Sequence, residues 1–252
     1  NKKKDIAQIL EEYFAAKEPE QEVPVVSEVI DINHTKEYED LIIHKVNEHT
    51  RAYIKIQDGC NQFCSYCIIP YTRGRIRSKN PEEVIEEVKN LAAQGYKEIV
   101  LTGIHLSSYG KDLGTVNLLD VIKRIQQIED VERIRLGSLE PRIITEEFVK
   151  ELVKCDKVCP HFHLSLQSGC DQTLKRMNRK YTTEEYEEAL NILRKYYEHP
   201  ALTTDVIAGF VGETEEEFEK TRAYLEKINL YEMHIFKYSV PVSYTHLTLP
   251  TN

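Results

Sequence analysis

RAYIKIQDGCNQFCSYCIIPYTRGRIRSK, residues 51–79, carries Cys60, Cys64 and Cys67 in the spacing C-x3-C-x2-C, directly after an apolar, β-forming run, Ala52–Ile56. Three thiolates this close in sequence can converge on one face of a single loop. A cubane iron–sulfur cluster has four irons, so three cysteines leave one iron without a protein ligand. An open metal position is where a substrate binds and reacts, the same distinction that separates catalytic from structural zinc sites. Two plainer readings fit the same residues: buried or redox cysteines, or three ligands of a zinc knuckle closed by a distant His. In a chain without a secretory pattern, clustered cysteines favour a metal or catalysis over disulfides.

Outward from this loop the chain becomes regular. β-rich runs recur at Glu98–Thr102, Arg133–Leu136, Phe162–Leu166, Thr203–Ile207 and Met233–Tyr238, with helical patterns between them. Residues 82–94 set Val84, Ile85, Val88 and Leu91 on one stripe, behind Asn80 as N-cap and Pro81 at the first helical position, with Gly95 after the end. Val116, Leu119, Ile122 and Ile125 predict a second helix stripe. Thr182 with Glu185, and Thr214 with Glu217, read as capping boxes opening two later helices. Alternating strands and helices imply right-handed parallel βαβ units. Six such repeats fit a barrel or an open doubly wound sheet, and the pattern alone does not choose.

At 252 residues, 41% hydrophobic and 30% charged, the chain fits a soluble globular protein with a substantial core. No run approaches the roughly eighteen apolar residues that span a bilayer, and no signal-peptide pattern opens the chain, so no membrane partner and a cytoplasmic location are expected. A net charge of −9 argues against a surface that grips nucleic acid everywhere. Two basic clusters stand out locally. Arg73, Arg75, Arg77 and Lys79 directly follow the cysteine loop, placed to meet a phosphate near it, whereas for Lys175, Arg176, Arg179 and Lys180 solvated surface charge is at least as good a reading as a binding role. Cys155, Cys159 and Cys170 have no ligand spacing. Near the start, Ile6, Ile9, Leu10, Tyr13 and Phe14 form one helical stripe, and the acidic EPEQEVP stretch, residues 18–24, reads as linker.

With Tyr66 just before the third cysteine, the loop resembles the signature of radical S-adenosylmethionine (SAM) enzymes. The wider string GCNQFCSYCIIPYTRGRIRS, residues 59–78, is similar to the methylthiotransferases of that superfamily. IKIQDGCNQFCSYC (54–67), LTGIHLSSYG (101–110) and RLGSLEPRIITEEF (135–148) most resemble the subfamily that methylthiolates threonylcarbamoyladenosine next to the tRNA anticodon. The likeness runs from about Arg51 to Ser239. It implies an α/β fold, the radical SAM partial (βα)6 barrel, with chemistry at the C-terminal strand ends, where the cysteine loop stands. Residues 1–50 are then expected to be a remnant of an N-terminal domain plus linker, and 51–239 the core. The last stretch, VPVSYTHLTLPTN at 240–252, matches nothing in the family and looks like a translated sequencing adapter, a non-native tail.

The resemblance also implies a set of roles. Cys60, Cys64 and Cys67 would hold a 4Fe-4S cluster whose fourth site binds SAM, and electron transfer into the sulfonium would release a 5′-deoxyadenosyl radical. Gly103, in Leu101-Thr102-Gly103, stands where the family sets a small-residue turn near the SAM amino group, with His105 just beyond. Glu140 suits the ribose hydroxyls or the ammonium, and Ser165 and Gln167 offer hydroxyl and amide hydrogen bonds. Asp205 and Gly209 lie in TTDVIAGFVGET, residues 203–214, which the family uses beside the adenine; here Val211 replaces the usual Pro. Tyr66 completes the cofactor set. Expected partners are the tRNA anticodon stem-loop and an electron donor such as flavodoxin or ferredoxin. A second 4Fe-4S cluster is expected only in a full-length protein, because no cysteine precedes Cys60. Rival substrates are isopentenyladenosine in tRNA and a ribosomal-protein aspartate. A rival of another class is a zinc-holding, non-catalytic RNA-binding module, which the negative charge weighs against.

Overall fold

The computed structural model describes residues 3–15, 30–39 and 50–238, so the 240–252 tail and most of the expected linker lie outside the described residues. Helix α1 (Ile6–Ala15) forms on the expected stripe, but none of its residues is buried. From there the chain runs through β1 (Ala52–Asp58), α2 (Ile69–Thr72), β2 (Arg77–Ser78), α3 (Pro81–Ala93), β3 (Glu98–Gly103), α4 (Leu118–Ile125) and β4 (Arg133–Leu136). It continues with α5 (Glu146–Leu152), β5 (His161–His163), α6 (Asp171–Arg176), α7 (Thr183–Tyr196), β6 (Ala201–Ala208), α8 (Glu215–Ile228) and β7 (Glu232–Lys237).

Strand order resolves the choice the sequence pattern left open. β1 pairs in parallel with β3 and β3 with β4, while β5, β6 and β7 form a second parallel run. Single parallel bridges, Ile134 to Val158 and Leu139 to Leu164, stitch β4 to β5. Six parallel strands therefore follow one another in chain order, a partial (βα)6 barrel rather than a doubly wound sheet, which would reverse its order at a switch point. Among the described residues no ladder joins β7 to β1. β2, too short for a sequence signal, adds an antiparallel edge beside β1.

Period-two alternation divides the strands between two environments. Ile54, Ile56, Ile99, Leu101, Ile134 and Phe162 share one core with helix residues such as Val88, Leu91, Ile122 and Leu193. Each such side chain contributes roughly 1.5–3 kcal/mol by burial. The alternate positions carry Lys55, Glu98, Arg135, His163 and Asp205, so the inner face is polar rather than filled with apolar layers. The Asn80 side chain accepts from the Glu82 N–H, and both Thr capping boxes form as expected. The phase of α4 differs: Leu118, Val121, Ile122 and Ile125 are its buried residues, while Val116 precedes the helix. An Asn117–Asp120 capping box starts α4 two residues later than the stripe suggested.

Candidate active site

The cysteine loop leaves β1 through a turn that needs glycine. Gly59 has φ +71°, and a Cβ there would sit 1.8 Å from the Arg75 carbonyl oxygen. That close approach lets the Cys60 N–H donate to the Gly74 carbonyl at 3.0 Å. Asp58 accepts from the Gly59 N–H at 2.8 Å and faces Lys55 at 2.8 Å, with Arg73 and Arg77 at 3.8 and 3.9 Å. Burial raises the pKa of Asp58, but Lys55, the Gly59 N–H and Arg73 outweigh it and hold the carboxylate below its ordinary value. Half of the basic cluster after the loop is thus internal. Arg77 and Lys79 are buried, with Lys79 on Glu87 at 2.6 Å, so neither reaches a phosphate, as their sequence position had suggested.

From the other side the turn after α6 grips the loop. Ser65 donates through its N–H to the Met177 carbonyl (3.1 Å) and through its hydroxyl to that of Arg176 (2.8 Å). Asn178 donates to the Phe63 carbonyl at 2.7 Å, holding Phe63 at φ +53°, a left-handed backbone uncommon for a phenylalanine. Arg179 closes the contact. Its guanidinium donates to Cys64 Sγ at 3.3 Å, the Ser165 carbonyl at 3.2 Å and the Tyr181 hydroxyl at 2.9 Å, and reaches the Tyr66 hydroxyl at 3.5 Å. Burial opposes its charge, yet the oxygens of Tyr181 and Tyr66 and the Cys64 sulfur raise its pKa. From sequence, solvated charge was at least as good a reading for Arg179 as a binding role, since nothing near it in the chain foretells partners more than a hundred positions away.

Cys60, Cys64 and Cys67 line one cavity of about 150 Å³ together with Tyr66, Glu140, Ser165, Gln167 and Arg179. The Gln62 N–H donates to Cys60 Sγ at 3.4 Å, and burial pushes the Cys60 and Cys67 thiols above their ordinary pKa. Burial likewise pushes the Tyr66 phenol up. Gln167 sits at φ +73°, its N–H donating to the Asp205 carbonyl and its carbonyl accepting from the Ile207 N–H, both at 2.8 Å. Such strain collects where surrounding structure fixes a functional side chain. Glu140 is held by the Ser107 hydroxyl on its N–H (2.8 Å), with its carboxylate on Arg142 and 3.9 Å from His105. Burial pushes His105 down to about 4, against the opposing pull of Glu140.

Gly103, Asp205 and Gly209 do not line that cavity. A Cβ on Gly103 would meet the Gln57 side chain at 2.9 Å, so this glycine admits a protein side chain. Buried Gln57 is a site residue the sequence reading missed. Its amide donates to the Asp58 and Gly59 carbonyls (2.7 and 2.8 Å) and accepts from the His105 N–H at 2.7 Å, tying the cysteine loop to the turn after β3. Asp205 faces His163 at 3.2 Å on the inner face, and Gly209 turns the chain after β6 at φ +74°.

Among the described residues no three His, Cys, Asp or Glu side chains are grouped as ligands of one metal ion. Cysteines of a four-iron cluster bind separate corners and stand farther apart than ligands of a single ion, so three thiols spaced around a shared cavity suit the larger group. Hydrogen bonds to Cys60 and Cys64 from Gln62 and Arg179 are of the kind that tune cluster sulfurs. Across the same cavity, the Arg179 guanidinium and the Glu140 carboxylate complement the two charges of an amino acid. The residues fit the group.

Known proteins resemble this chain over much of its length. The Radical SAM superfamily model matches residues 54–225. A threonylcarbamoyladenosine tRNA methylthiotransferase of Bacillus subtilis is 45% identical over 215 residues, 85% of this chain and 48% of that protein. A tRNA-2-methylthio-N(6)-dimethylallyladenosine synthase of Clostridium botulinum is 41% identical over 210 residues, 81% of this chain and 47% of the relative. The chain thus spans about half the length of these curated relatives. Among solved structures, a radical S-adenosylmethionine methyltransferase from Kitasatospora setae superposes with a TM-score of 0.62 at 18% identity, covering 74% of this chain and 36% of that one. Coproporphyrinogen III oxidase of Escherichia coli gives 0.55 at 14% identity, covering 79% and 47%. With its cysteine loop at the C-terminal end of the first barrel strand and a family match over most of its length, this chain belongs to the radical SAM superfamily.

Proposed function

We propose that this chain is the radical-generating core of a tRNA methylthiotransferase that acts on threonylcarbamoyladenosine beside the anticodon. The observation that carries the reading is the single cavity in which Cys60, Cys64 and Cys67 meet Arg179 and Glu140. Cys60, Cys64 and Cys67 would hold a 4Fe-4S cluster, which when bound supplies the electron that cleaves SAM. Arg179 offers a fixed cation to the SAM carboxylate and Glu140 a carboxylate to its ammonium. Ser165 and Gln167, both just past the end of β5, add hydrogen bonds, and Asp205 and Gly209, one strand over, are left for the adenosine. Tyr66 and Arg179 shield the Cys64 side from water.

The tRNA partner and the substrate class rest on similarity to the Bacillus subtilis and Clostridium botulinum proteins. Those two relatives act on differently substituted adenosines and match this chain nearly equally, so identity alone does not separate them. The IKIQDGC, GIHLSS and LGSLEP strings favour the threonylcarbamoyl substrate. Core residues 51–239 would supply the radical, while a second cluster and the sulfur would come from the remainder of a longer protein. Mass spectrometry of anticodon-loop nucleosides from cells lacking the whole gene tests this. Loss of the methylthio group from threonylcarbamoyladenosine with the isopentenyl nucleoside intact is expected; the reverse pattern assigns the other substrate.

A further inference from the structure

We propose that Phe63, Tyr71 and Arg75 form a platform that stacks an unpaired RNA base beside the mouth of the thiol cavity. This deepens the tRNA reading above and rests on it. The Arg75 guanidinium lies 4.6 Å from the Phe63 ring centroid, and the Phe63 and Tyr71 rings meet edge to face at 5.6 Å and 79°. A cation and two aromatic rings in mutual contact are ordinary inside an interface. Here two of the three are open, Tyr71 at 50% exposed and Arg75 exposed, while Phe63 is half-buried. Among the described residues Arg75 has no carboxylate in ion-pair range, whereas its neighbour Arg73 is turned to Asp58 and Arg77 is buried.

The platform is held rigid. Asn178 fixes the left-handed Phe63 backbone through its carbonyl, and the Tyr71 N–H donates to the Ile68 carbonyl at 3.0 Å within the short α2 turn. Its location is equally specific. Phe63 lies between Gln62 and Cys64, and Tyr71 stands two residues beyond Ile69; Gln62, Cys64 and Ile69 all line the cavity. Bases splayed from a single-stranded loop bind proteins by stacking on aromatic rings and guanidinium planes, with the cation also favouring the phosphates. In a chain of net charge −9, the patch offers a polyanion a positive charge beside two aromatic rings. A base held there would flank the nucleotide presented to the cavity.

The test is fluorescence anisotropy of a labelled anticodon stem-loop RNA against the reconstituted chain. Tyr71→Ala and Arg75→Ala should each raise Kd about tenfold, in line with the loss of one stacking contact. Tyr71→Phe should stay near wild type, as should Arg222→Ala, a charge removed from the distant helix α8. Iron content and melting temperature should not change, because the Tyr71 and Arg75 side chains are exposed. Ultraviolet crosslinking of the same RNA to the unmutated chain should place the adduct within residues 61–75. Alanine variants that bind within twofold of wild type, or adducts confined to other peptides, would overturn the platform while leaving the tRNA reading standing. A chain that binds no stem-loop RNA would overturn both.

Discussion

Arg179 joins three stretches of chain that no local pattern connects: the cysteine loop, the end of β5 and the turn after α6. Arg179→Met should raise the Kd for SAM at least tenfold, measured by equilibrium dialysis on the reconstituted chain. Arg179→Lys should rescue little, because an ammonium lacks the planar fork that serves sulfur, carbonyl and phenol together. His105 gives a pH prediction. With a folded pKa of about 4 against the ordinary 6.5, its unfolded form binds more protons between those values. Stability is therefore full above pH 6.5 and falls as pH drops toward 4, by roughly 2 kcal/mol at pH 5 from this group. In urea titrations at pH 7 and pH 5, His105→Gln should show a smaller loss of stability than wild type; an equal loss would count against the assignment. The three cysteines were legible because their spacing is local. Arg179 and Gln57 were not, since each acquires its partners only when distant turns are brought together.

At the scale of elements, caps and strand runs were readable because they depend on a few adjacent residues. Thr214→Ala should cost about 1 kcal/mol and lower the melting temperature by roughly 2–4 °C, since the Thr214 side chain accepts from the Glu217 N–H at the start of α8. The phase of α4 was misread because Val116, Leu119, Ile122 and Ile125 keep a three-residue spacing, whereas Asn117 caps the helix and turns Leu118 and Val121 inward. β2 escaped notice for want of length, yet it leads Lys79 to Glu87 on α3, a buried pair at 2.6 Å. Lys79→Met should destabilise by roughly 3–5 kcal/mol by leaving that carboxylate buried without its cation, and Lys79→Met with Glu87→Leu should recover most of the loss in denaturant titration. A single variant that costs nothing would show that the pair is not desolvated.

For the whole molecule, alternation of strands and helices was enough to predict parallel βαβ units but not whether they curve into a barrel. That distinction rests on strand order and on the β4–β5 bridges, which are long-range facts. The polar inner face was present in the sequence as Lys55, Glu98, Arg135, His163 and Asp205, but it becomes a surface only once six strands stand side by side. The barrel sets the cysteine loop after β1, Glu140 after β4, and Ser165 and Gln167 after β5, and so converts dispersed residues into one cavity. Electron paramagnetic resonance of the anaerobically reconstituted, reduced chain, with and without SAM, tests that arrangement most directly. A 4Fe-4S signal that shifts when SAM is added, and that is lost in Cys64→Ala, is the predicted result. Zinc without labile sulfide, or a cluster signal indifferent to both SAM and the mutation, would contradict it.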